Sequence, residues 1–299
     1  MSTNRPRPAY TINGHAFEAL PMAPGLYLVA TPLGNLGDIS LRALAVLAAV
    51  ETILCEDTRI TSRLTQRFSI STRLRPYHDH NAARVRPAIL ESLAAGESFA
   101  LVSDAGMPAI SDPGFKLVRE CIDKGIPVDV IPGPTAPVTA LALSGLPTDR
   151  FLFAGFLPNK QGQRLATLRE LAGVPATLIF FETAPRLAAS LRDIASVLPG
   201  RQVAVARELT KLHQEVLRGT ADELAHALAG DGKVKGEITL LIGPPLEAAQ
   251  RSDADIEERL LALLQEHSAS KAAAAAARET GLPRAQLYEL AMKLKEAGH

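Results

Sequence analysis

The chain carries its apolar residues in short blocks bounded by turn-forming residues, with stretches of helical spacing between the blocks. The blocks at 26–30, 51–55, 98–103 and 127–131 are too short for helices, and they read as buried strands. Between them, apolar positions recurring three and four residues apart predict helices opening at Ser40 and over 58–68, 84–95 and 114–124. Strands alternating with helices predict an α/β fold, a mostly parallel sheet with helices on both faces. The run Gly145-Leu146-Pro147-Thr148-Asp149 breaks the pattern, and a second alternating unit follows, with strands expected over 151–156, 176–181, 202–207 and 237–242.

The pattern predicts a flexible extension over 1–24, an N-terminal α/β domain over 25–146 and a second α/β domain over 147–246. Beyond a linker, residues 253–299 read as a C-terminal helical module. The alanine run at 272–277 is a strong helix former, Thr280-Gly281-Leu282-Pro283 stops it, and helical spacing resumes at Arg284. Helix, glycine-containing turn, helix is the outline of a helix-turn-helix.

Bulk properties narrow the picture. The 299 residues suffice for two domains with their own cores, and without tryptophan those cores must be built from Ala, Leu, Val and Ile. A net charge of +0 gives no sign of a nucleic-acid partner, so only a local cluster could. Cys55 and Cys121 are too few for a disulfide framework or a zinc site, and both read as reduced core residues. Residues 1–24 lack the apolar segment of a secretory signal, and no apolar run reaches the roughly 18 residues of a membrane helix. A cytoplasmic protein is expected.

Three loops follow predicted strands: 31–38, 103–114 and 132–136. They are rich in glycine and proline, which lets a ligand approach the backbone beyond the carboxyl ends of the strands. None is a phosphate cradle, since neither G-x-G-x-x-G nor G-x-x-x-x-G-K-[ST] is present; the loops suit a ligand without phosphate, or are ordinary turns.

These loops, together with Cys55-Glu56-Asp57-Thr58-Arg59, His78-Asp79-His80-Asn81, Gly155-Phe156-Leu157-Pro158 and Arg207-Glu208-Leu209-Thr210-Lys211, resemble the tetrapyrrole-methylase-like (class III) methyltransferases. Within them, the stretches around Glu56 and His78 point to the branch that methylates the cytidine 2′-hydroxyl of 16S ribosomal RNA in the small subunit. The resemblance runs from Gly25 to about Pro244. It implies S-adenosyl-L-methionine as cofactor in a cleft between two α/β domains, and a homodimer. Carried over by residue, it implies cofactor contacts from Pro32 and Leu33, from Ser103, Asp104, Ala105, Gly106 and Ile110, from Pro134, Thr135 and Ala136, and from Phe180 and Phe181. Phe181 stands where the family often has tyrosine.

Local charge then matters. Between Arg59 and Arg86 there are seven arginines and one acid, Asp79. Arg59, Arg63 and Arg67, four residues apart, share one helix face, and His78 and His80 could stack on splayed bases. This reads as an RNA-binding footprint or as a solvated helix face. The helical module could contact nucleic acid or serve for packing. Methylating a hydroxyl calls for a general base, with Asp57, Glu182, His78 and His80 as candidates; Asp57 reads equally as a helix N-cap paired with Arg59. Two other functions remain open: a corrin or porphyrin methyltransferase, which needs no basic stripe, and a non-catalytic RNA-binding ribosome-assembly factor, which transfers no methyl group.

Overall fold

A computed structural model describes residues 8–228, 235–245, 253–280 and 284–297. A hairpin opens it, β1 (Ala9–Ile12) paired antiparallel with β2 (His15–Glu18). Asn13 and Gly14 both adopt positive φ at its tip, as a two-residue type I′ turn requires. Tyr10 stacks on Phe17 and is buried against the first core, so residues 9–18 are ordered structure and not the flexible extension expected there.

The first sheet holds β3 (Gly25–Val29), β4 (Thr52–Cys55), β5 (Arg73–Pro76), β6 (Ser98–Leu101) and β7 (Val128–Ile131), all parallel in the order β5-β4-β6-β3-β7. On one face Tyr27, Val29, Ile53 and Ala100 pack against α1 (Leu41–Ala49) and α2 (Thr58–Arg67). On the other, Leu26, Leu54, Phe99 and Leu101 pack against α3 (Asp79–Ala94) and α4 (Phe115–Asp123), where Cys121 is buried. Ser40 caps α1 through the Ala43 amide at 3.1 Å.

The second sheet holds β8 (Phe151–Phe156), β9 (Thr177–Thr183), β10 (Gln202–Arg207), β11 (Glu215–Thr220) and β12 (Glu237–Ile242), in the order β11-β10-β12-β9-β8. Only β8 and β9 run parallel; the other pairings are antiparallel, unlike the first sheet, which is all parallel as expected. The β10-to-β11 connection is too short for a crossover, which forces a hairpin. One face of this sheet packs on α6 (Gln161–Glu170), α7 (Leu187–Val197) and α8 (Ala221–Ala227). Under that layer Arg164 and Asp193, both buried, pair at 2.6 Å, and Arg164 also donates to the Pro158 carbonyl at 3.2 Å.

The opposite face receives α5 (Ala136–Ser144), which follows β7 of the first sheet. Its sequence, APVTALALS, is apolar on nearly every side, as suits a helix held between two layers. Ala140 and Leu141 pack on Ile179, Ala204, Ala206 and Leu241. Gly145 ends the helix at φ 76°, and the terminal carbonyls of Leu143 and Ser144 accept from Arg218 of β11. The tail forms α9 (Asp253–Glu266), α10 (Ala269–Thr280) and α11 (Arg284–Ala297), with their own core around Leu260, Ala273, Ala276 and Leu287. The expected Gly-Leu-Pro turn at 281–283 and the linker at 246–252 lie outside the described residues. Among the described residues no helix is long and apolar enough to cross a membrane.

Leu141 is 3% exposed in the seam between the sheets. Leu141→Ala should lower unfolding free energy by about 2–5 kcal/mol in urea denaturation; a loss under about 1 kcal/mol would mean that the seam contributes little.

Candidate active site

The strand order explains where a ligand can sit. β6, β3 and β7 are neighbours and parallel, so the loops leaving their carboxyl ends emerge side by side. The first two are stitched together: Thr31 and Gly106 exchange backbone hydrogen bonds at 2.9 and 3.0 Å, and the Thr31 hydroxyl donates to the Ser103 carbonyl at 3.0 Å. Gly106 sits at φ 87°, and a Cβ there would meet Leu33 at 3.2 Å. Farther along, Ala109 (φ 67°) and Ser111 (φ 59°) occupy the left-handed region, at about 1–2 kcal/mol each for residues with a Cβ. Strain of this kind persists where surrounding structure enforces it, and it gathers at functional loops.

A cleft of about 630 Å³ lies between these loops and the second sheet. That is within the roughly 300–1,000 Å³ of small-molecule sites. Leu33, Asp104, Ala105, Gly106 and Ile110 line one wall, with Thr135 and Ala136 at the start of α5. Phe156, Phe181, Ala206 and Leu209 line the other, with Lys235 and the first residues of β12. Phe181 meets Phe153 and Phe156 edge to face, at 4.9 and 5.3 Å between centroids, which fixes an aromatic wall. At one end Lys211 pairs with Glu208 (2.9 Å) and Glu237 (3.1 Å) and lies against Gly34 of the first loop.

The structure thus gathers most of the residues that the sequence nominated for a cofactor. Three stand back from the cavity. Pro32 is buried outside the lining, Ser103 is buried with its hydroxyl donated to the Gly106 carbonyl at 3.0 Å, and the Pro134 carbonyl packs beside Gly106. Phe180 is corrected outright. It alternates with Phe181 along β9, so it points into the core beneath α7, fully buried.

Both carboxylates among the four nominated bases are already committed. Glu182 borders the cleft, but its side chain is wholly buried and held by Ser190 (2.5 Å), Arg186 (3.2 Å) and the Thr183 amide (2.7 Å). Asp57 caps α2 by accepting from the Arg59 amide at 2.8 Å. The Arg59 side chain and amide hold its carboxyl down to about 2, which makes it a weak base. The cap reading of Asp57 is the one the geometry favours.

Three carboxylates gather at the mouth; the sequence nominated Asp104 for the cofactor but gave Glu56 and Asp112 no role of their own. Asp104 accepts from the Asp57 amide at 3.1 Å, and burial raises its pKa. Burial, then the charge of Asp104, raises Glu56. Asp112 is pushed up to about 7 by burial, then by the charges of Glu56 and Asp104. Its sequence signal, an aspartate in a glycine-proline loop, was present; its desolvation was not readable.

The basic stripe is only partly free. Arg59, Arg63 and Arg67 do share the exposed face of α2, but Arg59 is chelated by Asp57 at 2.6 Å. His78 caps α3, its amide donating to Asn81 at 3.0 Å, and His80 is exposed with its ring 6.0 Å from that of His78. Arg59, His78 and His80, which follow β4 and β5, lie at the carboxyl edge of the first sheet, the edge that carries the cleft; α2 then runs back between these parallel strands, so Arg67 lies toward the opposite edge.

Comparison with known proteins bears on this geometry. The family described as Tetrapyrrole (Corrin/Porphyrin) Methylases matches residues 25–225, and the RsmI C-terminal HTH domain matches residues 250–295. A Mesorhizobium japonicum protein named Ribosomal RNA small subunit methyltransferase I is 52% identical, over 93% of this chain and 95% of its own length. An Erythrobacter litoralis protein of the same name is 50% identical, over 94% and 99%. Among solved structures, a Thermus thermophilus uroporphyrin-III-C-methyltransferase shares the fold with a TM-score of 0.53 and 21% identity, covering 74% of this chain and 94% of that one. A diphthine synthase does so at 0.57 and 12%, covering 73% and 89%.

A carboxyl whose folded pKa lies above its unfolded one stabilises the fold while protonated. The contribution of Asp112 is therefore full below about pH 4 and is lost as pH rises through about 7. The difference in unfolding free energy between wild type and Asp112→Asn should change across that window and level off above it; parallel curves would contradict the placement of Asp112.

Proposed function

Because the chain belongs to the tetrapyrrole methylase family, and within it groups with the ribosomal RNA small subunit methyltransferases I, we propose that it methylates the 2′-hydroxyl of a cytidine ribose in 16S ribosomal RNA, with S-adenosyl-L-methionine as donor. The observation that carries this reading is the cleft: three phosphate-free loops on adjacent strands, facing an aromatic wall, in a chain about half identical to those relatives over nearly its whole length.

The lining suits the cofactor. It is largely apolar, and its carboxylate at Asp104 complements a positively charged ligand group. We assign Leu33, Ala105, Gly106, Ile110, Thr135 and Ala136 to the loop side of the binding surface, and Phe156 and Phe181 to the opposite side. When bound, the cofactor supplies an electrophilic methyl group and its own leaving group. The chain's task is alignment and the exclusion of water: Gly106 and Leu33 shape the floor, and the Phe153-Phe156-Phe181 cluster fixes the wall.

Arg63 and Arg67, exposed along α2, and the exposed His80 at the start of α3 support an RNA-binding surface on the first domain. The division into domains at 25–146, 147–246 and 253–299 is proposed on the position of the sheets and of the separate tail core. A homodimer is proposed on β8, an edge strand exposing Phe151 and Leu152. A ribosomal substrate places the reaction in the cytoplasm.

Incubation with labelled S-adenosylmethionine and isolated small ribosomal subunits should place label on a ribose of 16S RNA; label only on a supplied porphyrin, or none on RNA, would reject the reading. Replacing both Arg63 and Arg67 with Glu should weaken RNA binding at least tenfold and reduce the slope of log affinity against log salt by about one to two. An unchanged slope would place the RNA elsewhere.

A further inference from the structure

A second cavity of about 220 Å³ opens beside the cleft, between the starts of α3 and α4. Its walls include Tyr77, Ala83, Arg86, Phe115 and Lys116. Asp112 lines this pocket and the cleft alike. The pocket is chemically mixed in a way that fits a ribonucleotide. Phe115 is 64% exposed, an unusual position for a phenylalanine ring and one from which it can stack on a base. Lys116 and Arg86 supply positive charge for a phosphate, and Arg86 is held in place by Glu120 at 2.7 Å.

On the reading that the chain methylates RNA, on which this inference rests, we infer that the side pocket holds the target nucleotide and that the Asp112 carboxylate, at the junction with the cleft, accepts the proton of the ribose 2′-hydroxyl. The step balances: the oxygen–methyl bond forms as the sulfur–methyl bond of the donor breaks. The electron pair of the broken bond stays on sulfur, and the hydroxyl proton passes to a carboxylate oxygen of Asp112.

Several features converge on Asp112. The two carboxylates that the sequence nominated are tied up, Asp57 by Arg59 and Glu182 by Ser190 and Arg186. Ala109 and Ser111, in left-handed conformations just before it, fix the loop that presents it. The groups facing it are Glu56 at the end of β4, Ser103 and Asp104 beyond β6, and Asp79 of α3. Tyr77, Arg86 of α3 and Lys116 of α4 face it across the pocket. Together with burial, its acidic neighbours bring its pKa to about 7, where a base works best at neutral pH.

The test uses the full chain, isolated small subunits and labelled S-adenosylmethionine. Asp112→Asn should slow single-turnover transfer by about 100- to 10,000-fold. Its affinity for S-adenosylhomocysteine, read by calorimetry, should stay within about threefold, and the neutral limb of the wild-type pH–rate profile should vanish. Phe115→Ala, at an exposed position, should raise KM for the subunit about tenfold or more without changing cofactor affinity. An Asp112→Asn protein that keeps more than about a tenth of the rate, or loses cofactor affinity in step with rate, overturns the role of Asp112. An unchanged KM in Phe115→Ala overturns the pocket. Should Asp112→Asn not fold, Asp112→Glu must transfer methyl with a displaced pH profile, and a wild-type profile overturns the assignment. A wild-type chain that methylates no RNA rejects the underlying reading; an active wild type with an equally active Asp112→Asn rejects only this inference.

Discussion

The packing of α5 on the second sheet is the contact on which the rest depends. The helix belongs by sequence to the first sheet, since it follows β7, yet its buried residues Ala140 and Leu141 sit among Ile179, Ala204, Ala206 and Leu241. Its first turn carries Thr135 and Ala136, so the seam that joins the two sheets also sets the distance between the cleft's walls. Small side chains at Ala140, Ala204 and Ala206 allow that close approach. At the far end, Arg218 satisfies the last carbonyls of the helix, which would otherwise be left without partners. A shift of α5 would therefore move the third loop relative to Phe181.

Much of the first sheet was legible, because its central strands are short apolar runs and its helices carry a clear apolar stripe. The edges were not. β5, Arg73-Leu74-Arg75-Pro76, and β11, Glu215 to Thr220, are edge strands of mixed polarity, and half-exposed strands lack the apolar run by which buried ones are recognised. The N-terminal hairpin had a readable signal in Asn13-Gly14 between Tyr10-bearing and Phe17-bearing strands, which the polar, proline-rich surroundings obscured. In the mixed second sheet, the antiparallel β10–β11 pair follows from its short connection, not from the strand pattern.

The site divides in the same way. Its backbone was visible as glycine and proline loops; its charges were not, because their roles are set by neighbours distant in sequence. Glu182 is a core residue, since period-two alternation along β9 puts it on the same face as Phe180 and opposite Phe181. Asp57 is neutralised by Arg59 and supports Asp104 through its amide. Asp112 gains its raised pKa from burial and from Glu56 and Asp104, which meet only because β4 and β6 are adjacent. The result is one mouth in which some carboxylates build the structure and another is left poised near neutrality.

The cleft between the first sheet's loops and the second sheet is the proposed methyl-donor site. A crystal structure of the chain with S-adenosylhomocysteine tests it most directly. The ligand is expected between the loop bearing Asp104 and Gly106 and the wall bearing Phe181, with its sulfur turned toward Asp112. Density for the ligand outside that cleft, or a cleft closed by a different seating of α5, would contradict it.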